Sequence, residues 1–209
     1  MLSKISNTAS KESIEQILQA KFDYGYLYKP RSIIDGHKES ALCIVTSEAR
    51  DRIQYGIWGI LPKGYKDNWA TFQSIYNTLE IEFETISEIS WLYEALKHRR
   101  CLIIATGYFT SEIKNQSLKT FINVTENKSL FCFAGIYNIL EDGFISCSIL
   151  THTRGSSKYF LNNPKPIIIK KENYSDYLQI LNIKIWNRNF ELNPNEILKS
   201  IITNPEHQK

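Results

Sequence analysis

The sequence has no C-x-x-C pair, no Cys and His cluster at metal-ligand spacing, and no apolar run approaching the length of a membrane span. Each absence closes a class of function. Cys43, Cys101, Cys132 and Cys147 each sit inside an apolar run. That placement fits buried free thiols in a reducing compartment better than a disulfide framework or a metal site. No metal and no cofactor is expected. The first residues lack the apolar stretch of a signal peptide and no segment reads as a span, so the expectation is a cytoplasmic chain that does not engage a membrane. A strong charge bias is also missing: 25 Lys and Arg against 22 Asp and Glu leave +3. That balance permits an anionic partner without arguing for one. Repeats, low-complexity blocks, dividing linkers and regular βαβ alternation are absent too. What remains is 209 residues, 43% of them hydrophobic, enough for one sizeable domain with its own core.

Hydrophobic patterning supplies the elements. Ser10 is placed to cap a helix whose Ile14, Ile17 and Leu18 share one face. Phe22 to Tyr28 is aromatic and runs into Lys29-Pro30, which reads as extended, and Asp35-Gly36 reads as a turn. Ala41 to Thr46 and Ile53 to Leu61 read as strands, the second closed by Pro62 and Gly64. Lys63 to Gln73 reads as a polar loop holding Trp69. Thr85-Ile86-Ser87-Glu88 has the spacing of a capping box, before a helix with Ile89, Leu92, Tyr93 and Leu96 on one face. Lys97-His98-Arg99-Arg100 then supplies cations suited to a helix C-terminus. Strands follow at Cys101–Ala105, Leu118–Val124, Leu130–Tyr137, Phe144–Thr151 and Ile167–Ile169, with Thr106 to Phe109 read as a turn and Glu141-Asp142-Gly143 as a hairpin connection. A brief helix is expected through Leu178 and a last one from Asn193-Pro194 through Ile201, before a polar tail from about residue 203. The expected fold is α+β, one domain over 1–209, with a central antiparallel barrel-like sheet and peripheral helices.

Three segments, in this order and spacing, are more specific than any one of them: Trp58-Gly59-Ile60-Leu61-Pro62, Arg99-Arg100-Cys101-Leu102 with Gly107-Tyr108-Phe109, and Phe133-Ala134-Gly135-Ile136-Tyr137. Together they resemble the SRAP family, the SOS response-associated peptidases that process abasic sites in single-stranded DNA. The resemblance implies a SRAP-like fold, a role in the DNA damage response and a DNA partner. It also implies four catalytic positions. The family's cysteine directly follows the initiator methionine, and its freed amine and thiol close a thiazolidine on the ring-opened abasic sugar. Here that position is Leu2, a bulky residue that disfavours methionine excision. The family's Asn-Ala-Arg stretch falls on Glu80-Ile81-Glu82, so Glu80 stands for the amide and Glu82 for the cation. Thr110 occupies the place of a general acid/base glutamate, with Glu112 two residues on, and Asn162 that of a proton-shuttling histidine, with His152 as a weak substitute.

Leucine, threonine and asparagine supply no proton-transfer group near neutral pH. Two carboxylates would repel a phosphodiester. The resemblance thus implies a pseudoenzyme of a peptidase family, with crosslinking and self-processing lost at Leu2, Glu80, Thr110 and Asn162. Residual single-stranded DNA binding is the leading role, with Lys4, Arg99 and Arg100 on phosphates and Trp58 and Trp69 stacking on bases. For Arg99 and Arg100, a role at the helix terminus stands beside the nucleic-acid one. The alternative is a module that binds protein or a small ligand through a cleft made acidic by Glu80, Glu82 and Glu84.

Overall fold

The computed structural model describes residues 2–114, 117–125, 129–152, 165–179 and 198–202, giving the backbone alone at 112–114, 117–118, 198–200 and 202. The elements in chain order are β1 (Lys4–Asn7), α1 (Lys11–Leu18), β2 (Lys21–Phe22), β3 (Arg31–Asp35), β4 (Ala41–Thr46), β5 (Arg52–Trp58), α2 (Trp69–Ile75), β6 (Glu80–Glu82) and α3 (Ser90–His98). Then come β7 (Arg100–Ala105), β8 (Gly107–Lys114), β9 (Ser117–Thr125), β10 (Phe131–Ile139), β11 (Ile145–His152), β12 (Lys165–Pro166), β13 (Ile168–Ile169), α4 (Tyr174–Gln179) and β14 (Leu198–Ile202).

Five strands close on themselves. β4 pairs antiparallel with β5 and β7, β7 with β10, and β10 with β11. β11 then returns to β5 in parallel, with Ile145 beside Gly56 and Cys147 beside Trp58. Leu42, Ile44, Cys101, Ile103, Phe133, Cys147 and Ile149 belong to the buried cluster that fills this barrel. A barrel of five strands is narrow, because diameter falls with strand number. Two inward positions are therefore glycine. A Cβ on Gly56 would stand 2.9 Å from Cys147 Sγ, and one on Gly135 would stand 2.6 Å from Ile103 Cδ1. The outward positions of the same strands, such as Val45, Leu102, Ile104, Ala134 and Ile136, meet Ile14 of α1, Leu92 and Leu96 of α3, and Tyr177 of α4. With both faces covered, Arg100–Ala105 is buried at every position, which is why Cys101–Ala105 reads as a continuous apolar run.

A second sheet, ordered β14-β9-β8-β1-β3, contributes Leu2, Ile5, Ile34 and Tyr108 to the barrel-filling cluster. The fold is thus α+β around a barrel-like, mostly antiparallel sheet, as the pattern implied. Several local expectations give way. Lys63 to Gln73 is not all loop: Asn68 Oδ1 accepts from the Ala70 and Thr71 amides and starts α2. Thr85 makes no side-chain cap, and Ile86–Glu88 is a 3-10 turn ahead of α3. Gly107 opens strand β8 rather than a turn. The Phe22–Tyr28 segment contains a 3-10 turn at Gly25–Leu27. Leu198–Ile202, expected to be helical, pairs with β9 from Thr125 to Phe121, so its neighbour overrides its helical spacing. Asn193 to Ile197 and the tail from 203 lie outside the described residues.

Candidate functional site

The barrel mouth is where β5 leaves β11. Gly59, at φ +106°, makes that departure, and its N–H still donates to Cys147 O. Few side chains tolerate such a φ, and a Cβ there would also stand 2.6 Å from Gln73 Nε2. β6 takes the edge that β5 vacates, with Glu80 beside Ile149 and Glu82 beside Thr151. Ile81 turns to the helix-side cluster. Alternation therefore points Glu80 and Glu82 to the other side of β6.

Glu80 meets the start of the chain there. The Leu2 backbone N–H donates to Glu80 Oε2 at 2.7 Å. The Leu2 side chain, 3% exposed, joins the cluster with Trp58, Leu79 and Tyr108. Burial raises the Glu80 carboxyl above its ordinary value near 4.5, and the Leu2 hydrogen bond works against that rise. Thr110 lies on β8, the neighbour of β1, and shares a face with Tyr108 two residues earlier. Thr110 Oγ1 accepts from Asn123 Nδ2 at 3.0 Å, and the same amide group donates to Tyr108 O at 3.2 Å. Sequence reading did not single out Asn123, a polar residue buried among apolar neighbours on β9. Asn162 lies outside the described residues, as does the Glu112 side chain.

The arrangement holds the first strand in place, and the four cysteines are all buried. Burial pushes the Cys43 and Cys132 thiols up to about 12 and lifts Cys101 well above its usual range. A thiolate, the nucleophilic form, is therefore disfavoured at each of them. His152 does not join Glu80 either. Its Nδ1 lies 2.9 Å from Glu84 Oε1, and its ring meets Phe83 edge-on. Phe83, like Ile81, packs against the helix-side cluster.

The residues expected to contact DNA are mostly structural. Trp58 is fully buried and donates Nε1–H to Leu79 O at 2.9 Å. Trp69 is 7% exposed and donates to Trp58 O at 3.0 Å. Neither offers a ring face to a base, because packing consumes both rings. Arg100 is buried and donates to the carbonyls of Leu96, Lys97 and Tyr177. It closes the α3 C-terminus, the role its position at a helix end allows. Arg99 Nε donates to Asn138 Oδ1 at 2.9 Å, and Asn138 in turn donates to Leu61 O. Lys4 is half-buried on β1. Among the described residues no cluster of His, Cys, Asp and Glu could hold a metal ion, and no helix is long and apolar enough to cross a membrane.

Comparison with known proteins points one way. A protein from Bacteroides thetaiotaomicron superposes with TM-score 0.79 at 19% identity, covering 97% of this chain and 92% of its own. One from Bordetella bronchiseptica gives 0.78 at 16%, covering 97% and 99%. A phage-related protein from the same organism gives 0.67 at 13%, covering 96% and 93%. Likenesses at such identities speak to the fold. No curated protein matches significantly. The SOS response associated peptidase (SRAP) family matches over residues 1–196, nearly the whole chain. The chain belongs to the SRAP family.

Proposed function

We propose that this chain is a SRAP protein that associates with single-stranded DNA without forming a covalent bond to it and without processing itself. The observation that supports this reading most directly is at position 2. A buried leucine stands where the family's nucleophile would be, and its backbone N–H is committed to Glu80. Thiazolidine closure needs a thiol and an amine on one residue, and leucine brings no thiol. Thr110, which cannot take the part of a carboxylic acid, is bonded to Asn123. In this reading Lys4 makes a phosphate contact at the mouth, as a point charge rather than a bidentate fork. The buried tryptophans keep the mouth in shape, and Arg100 holds the α3 C-terminus, so neither touches the strand.

The test is incubation of the protein with single-stranded DNA carrying one abasic site. Half is run on a denaturing gel and half is followed by anisotropy at two salt concentrations. The expected result is no adduct, with binding that weakens steeply as salt rises. An adduct overturns the loss of covalent chemistry. Absence of binding at low salt overturns the DNA role.

A further inference from the structure

A groove crosses the outside of the barrel over β4 and β5, and none of the chemistry above uses it. Two adjoining cavities of about 850 and 660 Å³ make it up, and Ala41, Tyr55, Asp142 and Phe144 line both. Together they exceed the roughly 300–1,000 Å³ of a small-molecule site, so the space suits a length of chain. Its rim is aromatic and open to water: Tyr26 is 80% exposed, Phe144 63% and Tyr24 55%. Single exposed apolar residues need no explanation, but several converging on one groove mark an interaction surface.

The charges are sorted along it. Two pairs cancel: Arg52 with Asp23, through two hydrogen bonds of 2.6 and 2.8 Å, and Lys66 with Glu141 at 2.8 Å. Outside those pairs, Lys29 and Arg31 line only the first cavity, and Glu39 and Asp67 line only the second. Asp142 stands where the two cavities join. The first cavity therefore carries the unpaired basic side chains and the second the acidic ones, with Tyr55 and Phe144 lining both. A nucleic acid strand would carry phosphates onto the acidic end, where they would be repelled. Complementarity instead selects a chain whose own charge changes sign along its length.

We propose that the β4–β5 groove docks an extended peptide segment of a protein partner, apolar or aromatic at its centre, acidic over Lys29 and Arg31, and basic over Glu39 and Asp67. The groove borders the barrel mouth at Leu61 and Trp69, and the proposal stands whether or not the chain binds DNA.

The test uses the full chain and short labelled peptides read by anisotropy. The set has a Lys-Lys end, a Leu-Phe-Leu centre and a Glu-Glu end, the same residues in reverse order, and all-acidic and all-basic versions, with an oligothymidine as the nucleic-acid probe. One bipolar order is expected to bind about tenfold tighter than either single-sign peptide. Tyr26→Ser combined with Phe144→Ser is expected to weaken it by a similar factor while leaving Tm unchanged. Arg31→Glu is expected to lose the bipolar peptide and to recover binding when the peptide's acidic end is replaced by lysines. Equal binding of all peptides, or of none, overturns the proposal. So does oligothymidine binding that the Tyr26 and Phe144 changes weaken, since the groove is then a nucleic-acid track.

Discussion

The barrel mouth and the β4–β5 groove are opposites, although the turn from Gly36 to Ser40 touches both. At the mouth, Gly36 packs against Trp58 and Leu79, and the Leu2 side chain is sealed from water. At the groove, Ser40 lines an open cavity and the aromatic side chains stand in solvent. Around Leu2 the mouth is closed, and Glu80 is bonded to the Leu2 backbone N–H. Where the chain is open, it carries rings and sorted charge instead of reactive groups. The contrast separates two meanings of an aromatic residue. Trp58 shapes the interior, while Tyr26 is available to a partner.

Truncating the two regions breaks or sharpens the contrast. Leu2→Ala empties a filled position and is expected to destabilise the fold by about 2–5 kcal/mol in urea unfolding; a loss under about 1 kcal/mol would mean that the mouth is loosely packed. Glu80→Gln acts through pH. Because the folded carboxyl sits above its ordinary value, the folded state binds the extra proton. The stability contribution of Glu80 is thus fully present below about pH 4.5, the ordinary value, and is lost as pH rises through the raised one. The glutamine variant is expected to show a flatter dependence of Tm between pH 4.5 and 7, without the fall that the parent shows over that range. An unchanged profile would mean that water reaches the Glu80 carboxylate freely. The smallest effect is expected at the groove, where Tyr26→Ser should change stability by less than about 0.5 kcal/mol. A larger loss in the same urea titration would make Tyr26 part of the fold.

The barrel strands were legible because both faces are buried, so Cys101–Ala105 and Phe131–Tyr137 show near-continuous apolar character. Segments whose structure depends on a distant partner were not. Leu198–Ile202 has helical spacing and becomes a strand only because β9 offers an edge. Thr85 and Glu88 had the spacing of a capping box, but a 3-10 turn forms first. Asn68 was a missed local signal, a plain N-cap inside a stretch read as polar loop. At the candidate site the positions came from motif spacing, while the contact between Leu2 and Glu80 joins residues 78 apart and leaves no local trace. Trp58 and Trp69 show the same limit from the other side. Composition marks them as stacking groups, and only their indole hydrogen bonds to Leu79 and Trp58 carbonyls reveal that their rings face inward.

The place of β1 also sets a timetable for synthesis. β1 lies between β3 and β8, with Ile5 opposite Ile34 on one side and Tyr108 on the other. Tyr108, on the second partner of β1, is translated about a hundred residues after Ile5. At about 5–20 residues per second that interval is on the order of ten seconds. Throughout it the nascent chain carries an unpaired strand edge, the kind of surface on which chains join wrongly. β1 finds its second neighbour late, and chaperones have that interval in which to shield the open edge.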